Sequence, residues 1–570
     1  MTNNTPGGVT TDAWAPLRMG AQGAVVTNHP MASLAGMTML RAGGNAVDAA
    51  VAIGFALGVT EPQGSGIAAD GFMMVHMKAR GTVEVANGCG FAPMAATPER
   101  FRDGIVTKGA LSTSVPGICD ALLAAHARYG RLSLEEVVAP AIEWCEAGVP
   151  QTHFQCRLAK NCELMHTDPA AAAVFAPGGR PLAPGGLRRN PDLAWTYREI
   201  VKGGRDAFYK GPIAEKLAAY MEAAGGLVTK EDLARFHMRW ESPISTTYRG
   251  HTVYEAPPNS SGHVLLQELN MIEHFDMAAL GLTTAEAIHL MVEAKKLAFA
   301  DREAYLADPD FVDVPIEGLV SKAYAAERAK LIDPERAATG VTEGDPWAFM
   351  ERAPDEAKRF HRKDARAKEL VSDTTHYCVV DAEGNAVDGL QSLSSSFGSQ
   401  VICPGTGMLL NNRMNYWHIE KEHADLLQPG KRVRQTMNPV MLFDGPAEAG
   451  GSLEMCCGTP GADTQVQTNL QVISAVVDQG YTVTEAIHAP RWTHVQGRMT
   501  SSWPRKDVHA LNVEDRFGEE AITDLDRRGH APKKVGPWGG PGSAGAIRVL
   551  DNGTRTAAAD PRRDGQALVY

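Results

Sequence analysis

The sequence predicts an α+β protein built around one large core, and three observations carry that reading. In the first two thirds of the chain apolar residues recur three and four apart, as on the buried stripe of a helix. Leu134, Val137, Val138 and Ile142 form one such set, and Ile213, Leu217 and Met221 another. From Thr374 onward the pattern changes to short runs rich in Val, Tyr, Thr and Leu, which suit a pleated, half-buried surface. Turns rich in Pro and Gly lie between these elements instead of collecting into a linker, and there is no internal repeat or low-complexity tract.

Taken in order, residues 23–27 read as a strand and residues 32–57 as apolar helix interrupted at Gly43-Gly44, where helix propensity is lowest. Residues 72–76 and 82–86 form a candidate strand pair. Residues 133–280 read as mostly amphipathic helix, and 285–305 as one further long helix. Residues 350–369, dense with charge from Glu351 to Lys368, read as a solvated connector. Beyond Thr374, residues 377–380, 387–390, 408–410, 440–443 and 453–457 read as strands. Residues 464–478 and 484–489 read as helices, and 545–549 and 566–570 as closing strands.

With 44 % hydrophobic and 21 % charged residues, the chain has the makings of a soluble protein with a sizeable core. A net charge of −12, with the basic residues dispersed, argues against nucleic acid or an anionic membrane as partner. Met1 to Gly8 show neither a basic segment nor an apolar run of signal-peptide type, so the expected location is cytoplasmic. The apolar stretch 31–59 is broken by Gly43-Gly44 and punctuated by Asp48, and reads as buried core rather than membrane span. Nine cysteines, an odd number without a CxxC, fit small core residues in a reducing compartment; Cys456-Cys457 reads as a buried strand entering a turn. His376 and His418 stand in no metal-ligand spacing and no phosphate loop is present, so no metal and no cofactor are expected.

Taken alone, Thr374 is simply the first residue of a strand. Its neighbourhood says more: "TTHYCVVDAEGNAV" resembles the start of the small subunit of the γ-glutamyltranspeptidase superfamily. Gly43 to Ala50 (GGNAVDAA), Thr60-Glu61-Pro62-Gln63, residues 254–262 (YEAPPNSSG) and 300–311 (ADREAYLADPDF) are similar to family blocks in the same order. Asp560-Pro561-Arg562-Arg563 is similar to the family's closing SDPR element. The resemblance implies a four-layer αββα sandwich of the N-terminal-nucleophile hydrolase type. It also implies a precursor that cuts itself between Asp373 and Thr374. Residues 1–373 would then form the large subunit and 374–570 the small one, together one structural domain and an αβ heterodimer, with pairing of heterodimers left open.

The same resemblance assigns roles residue by residue. Thr374 would attack through its hydroxyl, with its freed α-amine as base, a group whose ordinary pKa of ~7.7–8.0 suits the task. Processing would run by attack of Thr374 Oγ on the Asp373 carbonyl, an N→O acyl shift and hydrolysis of the ester. Ser392 stands where the family has a Thr supporting the nucleophile. Gly461 and Ala462, in Gly458-Thr459-Pro460-Gly461-Ala462, stand where two consecutive N–H groups form an oxyanion hole, provided Ala462 keeps a negative φ. The substrate positions depart from the family. Cys89 replaces its carboxylate-binding Arg, Gln435 and Thr436 its adjacent Ser pair, and Tyr416 and Ser394 the Asp and Asn that meet the α-amino group. Arg413 stands where the family has Gln; it either meets a substrate carboxylate or pairs with an acid such as Glu420. These departures resemble the oxamate amidohydrolase and cephalosporin acylase branches. They lead to the expectation of a small amide substrate whose acyl part has a carboxylate but no α-amino group. A γ-glutamyl hydrolase or transferase with altered anchoring is the alternative, and a catalytically silent or carbon–carbon-cleaving relative stays open.

Overall fold

Two seven-stranded antiparallel sheets face one another, and helices cover the outer face of each. The computed structural model describes residues 17–358, 368–369, 373–421, 423–499 and 507–570. The centre of the charged connector and the N-terminal segment read for a leader lie outside the described residues.

In chain order the sheet strands are β1 (Arg18–Gly20), β2 (Ala24–Thr27), β3 (Asp70–Met77), β4 (Thr82–Gly88), β5 (Arg239–Glu241), β6 (Ile244–Tyr248) and β7 (His251–Glu255). They continue with β8 (Asp373–Val380), β9 (Ala386–Ser394), β10 (Val440–Phe443), β11 (Leu453–Gly458), β12 (Gly545–Val549), β13 (Arg555–Ala559) and β14 (Gln566–Val569). The first sheet runs β14-β2-β8-β9-β3-β4-β5 and the second β1-β13-β12-β11-β10-β7-β6. Alternation decides which face each residue serves. Val25, Tyr377, Val379 and Val387 pack on the helices of the first sheet, whereas Val26, Cys378, Val380 and Leu390 pack between the sheets. Cys456 and Cys457 divide the same way, one inside the sandwich and one against the second helical layer. All nine cysteines are free, and all but the half-buried Cys156 are buried.

Helices α1 (Pro30–Arg41) and α2 (Ala46–Thr60) lie on the first sheet. The GGNAVDAA block explains their join. Gly43 takes φ +92°, Asn45 caps α2 by accepting the N–H groups of Val47 and Asp48 at 2.9 and 3.1 Å, and Asp48 returns to the Asn45 N–H at 2.9 Å. Every residue of α2 is buried, which accounts for its all-round apolar face. Helices α3 (Gly262–Ile272), α4 (Ala285–Tyr305) and α5 (Thr464–Val477) cover the second sheet. No helix among the described residues is long and apolar enough to cross a membrane.

Residues 133–280 are mostly helical, as read, and β5, β6 and β7 lie among those helices. The Arg249-Gly250 turn, with φ +49° and +92°, folds β6 onto β7 as a hairpin. Strands Trp492–Met499 and Asp507–Val513 with helix Glu519–Arg527, all unforeseen, build a smaller outlying sheet and its cover.

Candidate active site

Thr374 enters the sandwich near the start of β8 and is 1 % exposed. Its Oγ1 donates to Ser392 Oγ of β9 at 3.2 Å. The β8–β9 ladder slips between Asp373 and Thr375, so Thr374 stands opposite a bulge at Ser392-Leu393 of β9 while Asp373 pairs with Ser394. Ser394 is held at φ +89°, a strain of roughly 1–3 kcal/mol for a non-glycine residue. Its N–H donates to Ser392 Oγ at 3.0 Å, so that one hydroxyl holds both Thr374 and the strained residue. On the other side a Cβ at Gly64 would stand 3.1 Å from the Thr374 carbonyl oxygen, and Thr375 Oγ1 donates to Glu61 Oε2 at 2.5 Å. The Asp373 side chain lies outside the described residues.

Arg413, in the short turn Arg413–Tyr416, is fully buried. Nη2 donates to the Ser392 carbonyl at 3.2 Å, and the guanidinium stands 4.8 Å from the centre of the Tyr416 ring. Nε and Nη1 have no hydrogen-bond partner. The nearest acid is not Glu420, which takes His418 Nδ1 at 3.1 Å, but Asp70, whose Oδ2 lies 3.9 Å from Nε and beyond hydrogen-bond reach.

Asp70 begins β3 directly opposite Ser392. Its Oδ1 accepts the Gly90 N–H at 2.9 Å and its Oδ2 accepts Gln435 Nε2 at 3.0 Å. Burial pushes this carboxyl up to about 6, against the lowering pull of Arg413, the Gly90 N–H and Gln435. Asp70 is thus a buried acid beside Arg413 that the sequence reading did not single out. Its signal in the sequence was an acid inside the apolar run Ala68-Ala69-Asp70-Gly71-Phe72-Met73.

Of the residues singled out, Thr374, Ser392, Ser394, Arg413, Tyr416 and Gln435 converge around Asp70. The Cys89 thiol lies near enough to feel the charges of Asp70 and Arg413, but its hydrogen bond goes elsewhere. Sγ points to the Gly71 carbonyl at 3.7 Å, burial holds the thiol well above its ordinary pKa, and the backbone oxygen accepts Arg432 Nε at 3.2 Å. Thr436 faces the turn before α5 instead. With its amide turned to satisfy both terminal atoms, Gln465 donates to Thr436 O and Asn438 Oδ1 at 3.2 Å and accepts the Ala462 N–H at 3.3 Å.

That turn departs from expectation. Gly461 has φ +129° and Ala462 φ +52°, so the condition of a negative φ at Ala462 fails. The backbone keeps a glycine-like course at a cost of roughly 1–2 kcal/mol, offset in part because the methyl is buried among Met414, Tyr416 and Trp417. With the amide turned in this way, the Ala462 N–H is engaged by Gln465. The turn reaches β8 through His376, whose Nε2 lies 3.2 Å from Asp388 Oδ2 and whose ring leaves room only for glycine at Gly458. His376 with Cys378 and Asp388, and His418 with His423 and Glu303, form buried clusters that sequence spacing did not reveal.

The gamma-glutamyltranspeptidase family model matches residues 32–570. The chain belongs to the γ-glutamyltranspeptidase family. The glutathione hydrolase-like YwrD proenzyme of Bacillus subtilis is 35 % identical over 555 residues, covering 96 % of this chain and 99 % of that protein. The acylase ACY 1 proenzyme of Pseudomonas sp. strain SE83 is 37 % identical over 565 residues, covering 96 % and 93 %. Cephalosporin acylase from Bacillus halodurans superposes with a TM-score of 0.86 at 31 % identity, covering 100 % and 99 %. The γ-glutamyltranspeptidase-family fold is the four-layer sandwich described above, and the chain is a hydrolase acting on amide bonds. Its relatives are proenzymes, cut into subunits as the family's heterodimers are.

Proposed function

We propose that the chain cuts itself before Thr374, and that Thr374 then hydrolyses a small amide whose short acyl part carries a carboxylate and no α-amino group. The observation that carries this is Arg413, a guanidinium with no exposure and two donor atoms unpartnered. Unsatisfied buried donors cost roughly 1–3 kcal/mol each, and more when charged. A carboxylate can accept from Nη1 and the second Nη2 hydrogen along the end of the guanidinium, while Nε stays turned toward Asp70. The acyl chain is short because Thr374 and Arg413 both bond to the one residue Ser392.

The chemistry follows from the same contacts. A bulge in β9 faces the Asp373–Thr374 peptide, and strained Ser394, paired with Asp373, favours release. After cleavage the Thr374 amine takes the proton of Oγ1 and Ser392 keeps that oxygen oriented; attack on the substrate carbonyl breaks its C–N bond, the leaving amine departs with that proton, and water then hydrolyses the ester to free Thr374 and the acid. The Gly461 and Ala462 N–H groups receive the oxyanion once Gln465 yields the Ala462 N–H. A second reading, a γ-glutamyl hydrolase or transferase, is favoured by Asp70, an acid beside Arg413 that can face an ammonium. Release of the amine from a γ-glutamyl anilide supports that second reading.

Arg413→Gln tests the first. From the roughly 1.5–3 kcal/mol of a charged hydrogen bond, kcat/KM for a short anionic amide falls about tenfold to a hundredfold, with a neutral amide of equal size and self-cleavage unaffected. Equal losses on both amides show Arg413 to be structural.

A further inference from the structure

We propose that Asp70 is the counter-ion that Arg413 exchanges for the substrate's carboxylate, and that Asp70 takes up one proton from solvent as the anion binds. This rests on Arg413 as the acyl anchor. Asp70 and Arg413 are both fully buried and stand 3.9 Å apart, yet no hydrogen bond joins them although Nε has a hydrogen to give. The carboxylate is held instead by the Gly90 N–H on Oδ1 and by Gln435 Nε2 on Oδ2, the oxygen that faces Arg413, and these two donors fix its position. Empty, the pair is close to neutral. A second carboxylate arriving at Arg413 places two like charges around one cation where water is excluded, and one of them must be neutralised.

Asp70 is the group equipped to accept the proton. Gln435 Oε1 has no hydrogen-bond partner, so a half-turn of that amide replaces the donor facing ionised Asp70 with an acceptor for its protonated form. The other charged group acting on Asp70 is Arg432, and the Cys89 thiol is the remaining titratable neighbour, kept protonated by its own burial. Burial has already lifted the Asp70 carboxyl to about 6, so neutralising it asks little. Asp70 is thereby a specificity-determining residue: it screens Arg413 from casual anions at neutral pH and yields to one that is also tethered at Thr374.

The test uses the processed enzyme and the dicarboxylates oxalate, malonate and succinate, which match short acyl products and are fully ionised at about pH 7.5. Calorimetric titration in two buffers of different ionisation enthalpy reads proton uptake directly. The expected result is uptake approaching one proton for wild type, with affinity rising up to about tenfold per pH unit as pH falls toward 6. Asp70→Asn is expected to bind about tenfold tighter with no proton uptake and a flat pH profile. Uptake unchanged in Asp70→Asn overturns the proposal, as does a flat wild-type profile, which needs no variant to fold. Weaker binding by Asp70→Asn also overturns it and makes Asp70 a direct ligand contact. Undiminished binding by Arg413→Gln overturns the anchor itself, a failure separate from that of Asp70, and no binding of any of the three by wild type overturns both.

Discussion

The proposed reaction asks a single hydroxyl at position 374 to carry both self-cleavage and turnover, and that hydroxyl donates to Ser392 Oγ of β9. Thr374→Ala removes that oxygen and a methyl from a site already tolerant of a bulge, so stability changes by no more than about 1 kcal/mol. The expected outcome on a denaturing gel is one band at the full 61.0 kDa, with no amidase activity; fragments starting at residue 374 would exonerate Thr374. Ser392→Ala slows both steps without abolishing either, because it removes an orienting bond and leaves the nucleophile. Residue identities at these two positions were legible from the motif. Asp70 was not, because its importance comes from standing opposite Ser392 in the β3–β9 ladder, a relation that no local pattern encodes.

Among the elements, the closing motif Asp560-Pro561-Arg562 shows how a short block earns its place. Asp560 is fully buried, bonded to Arg491 Nη1 at 2.6 Å and Arg562 Nη1 at 3.0 Å, and it accepts the Ala544 and Arg562 N–H groups at 3.0 and 2.9 Å. Burial raises its pKa, but Arg491 and Arg562 outweigh that and hold it at about 2, below the ordinary 3.8. A folded pKa below the unfolded one contributes stability that is fully present above 3.8 and is lost as pH falls through 2. The difference amounts to about 2 kcal/mol. Asp560→Asn leaves two buried guanidinium groups short of a counter-charge, so it is expected to cost roughly 3–5 kcal/mol at neutral pH. Thermal melts at neutral and acid pH check this: the gap between variant and wild type narrows in acid, and a gap constant with pH refutes the assignment.

For the whole molecule, the position of the proposed cut before Thr374 relative to the sheets matters most. In the first sheet β2, β3, β4 and β5 precede residue 374, whereas β8, β9 and β14 come from it or after it; β2 lies between β14 and β8. In the second sheet β7 pairs with β10 and β1 with β13, again joining the two parts. Separating the fragments would open these ladders and expose the inter-sheet layer. Cleaved protein is therefore expected to elute as one species in size-exclusion chromatography and to part into two chains only in denaturant. Dissociation in plain buffer would contradict the interleaving.

The sequence by itself determined what depends on near neighbours. The Asn45–Asp48 cap, the helix at Ala285–Tyr305, the strands from Tyr377 onward and the Thr374 motif are each set by residues a few positions apart, where periodicity and capping act. Tertiary structure alone decided the φ of Ala462, whose strain is offset by an apolar cluster drawn from distant segments. It alone revealed the outlying sheet and the Asp70–Arg413–Gln435 constellation, since burial of a charge and the partner that faces it are fixed by sheet register. Register is set by two hydrophobic faces packing at once, and a chain read one segment at a time shows only one of them.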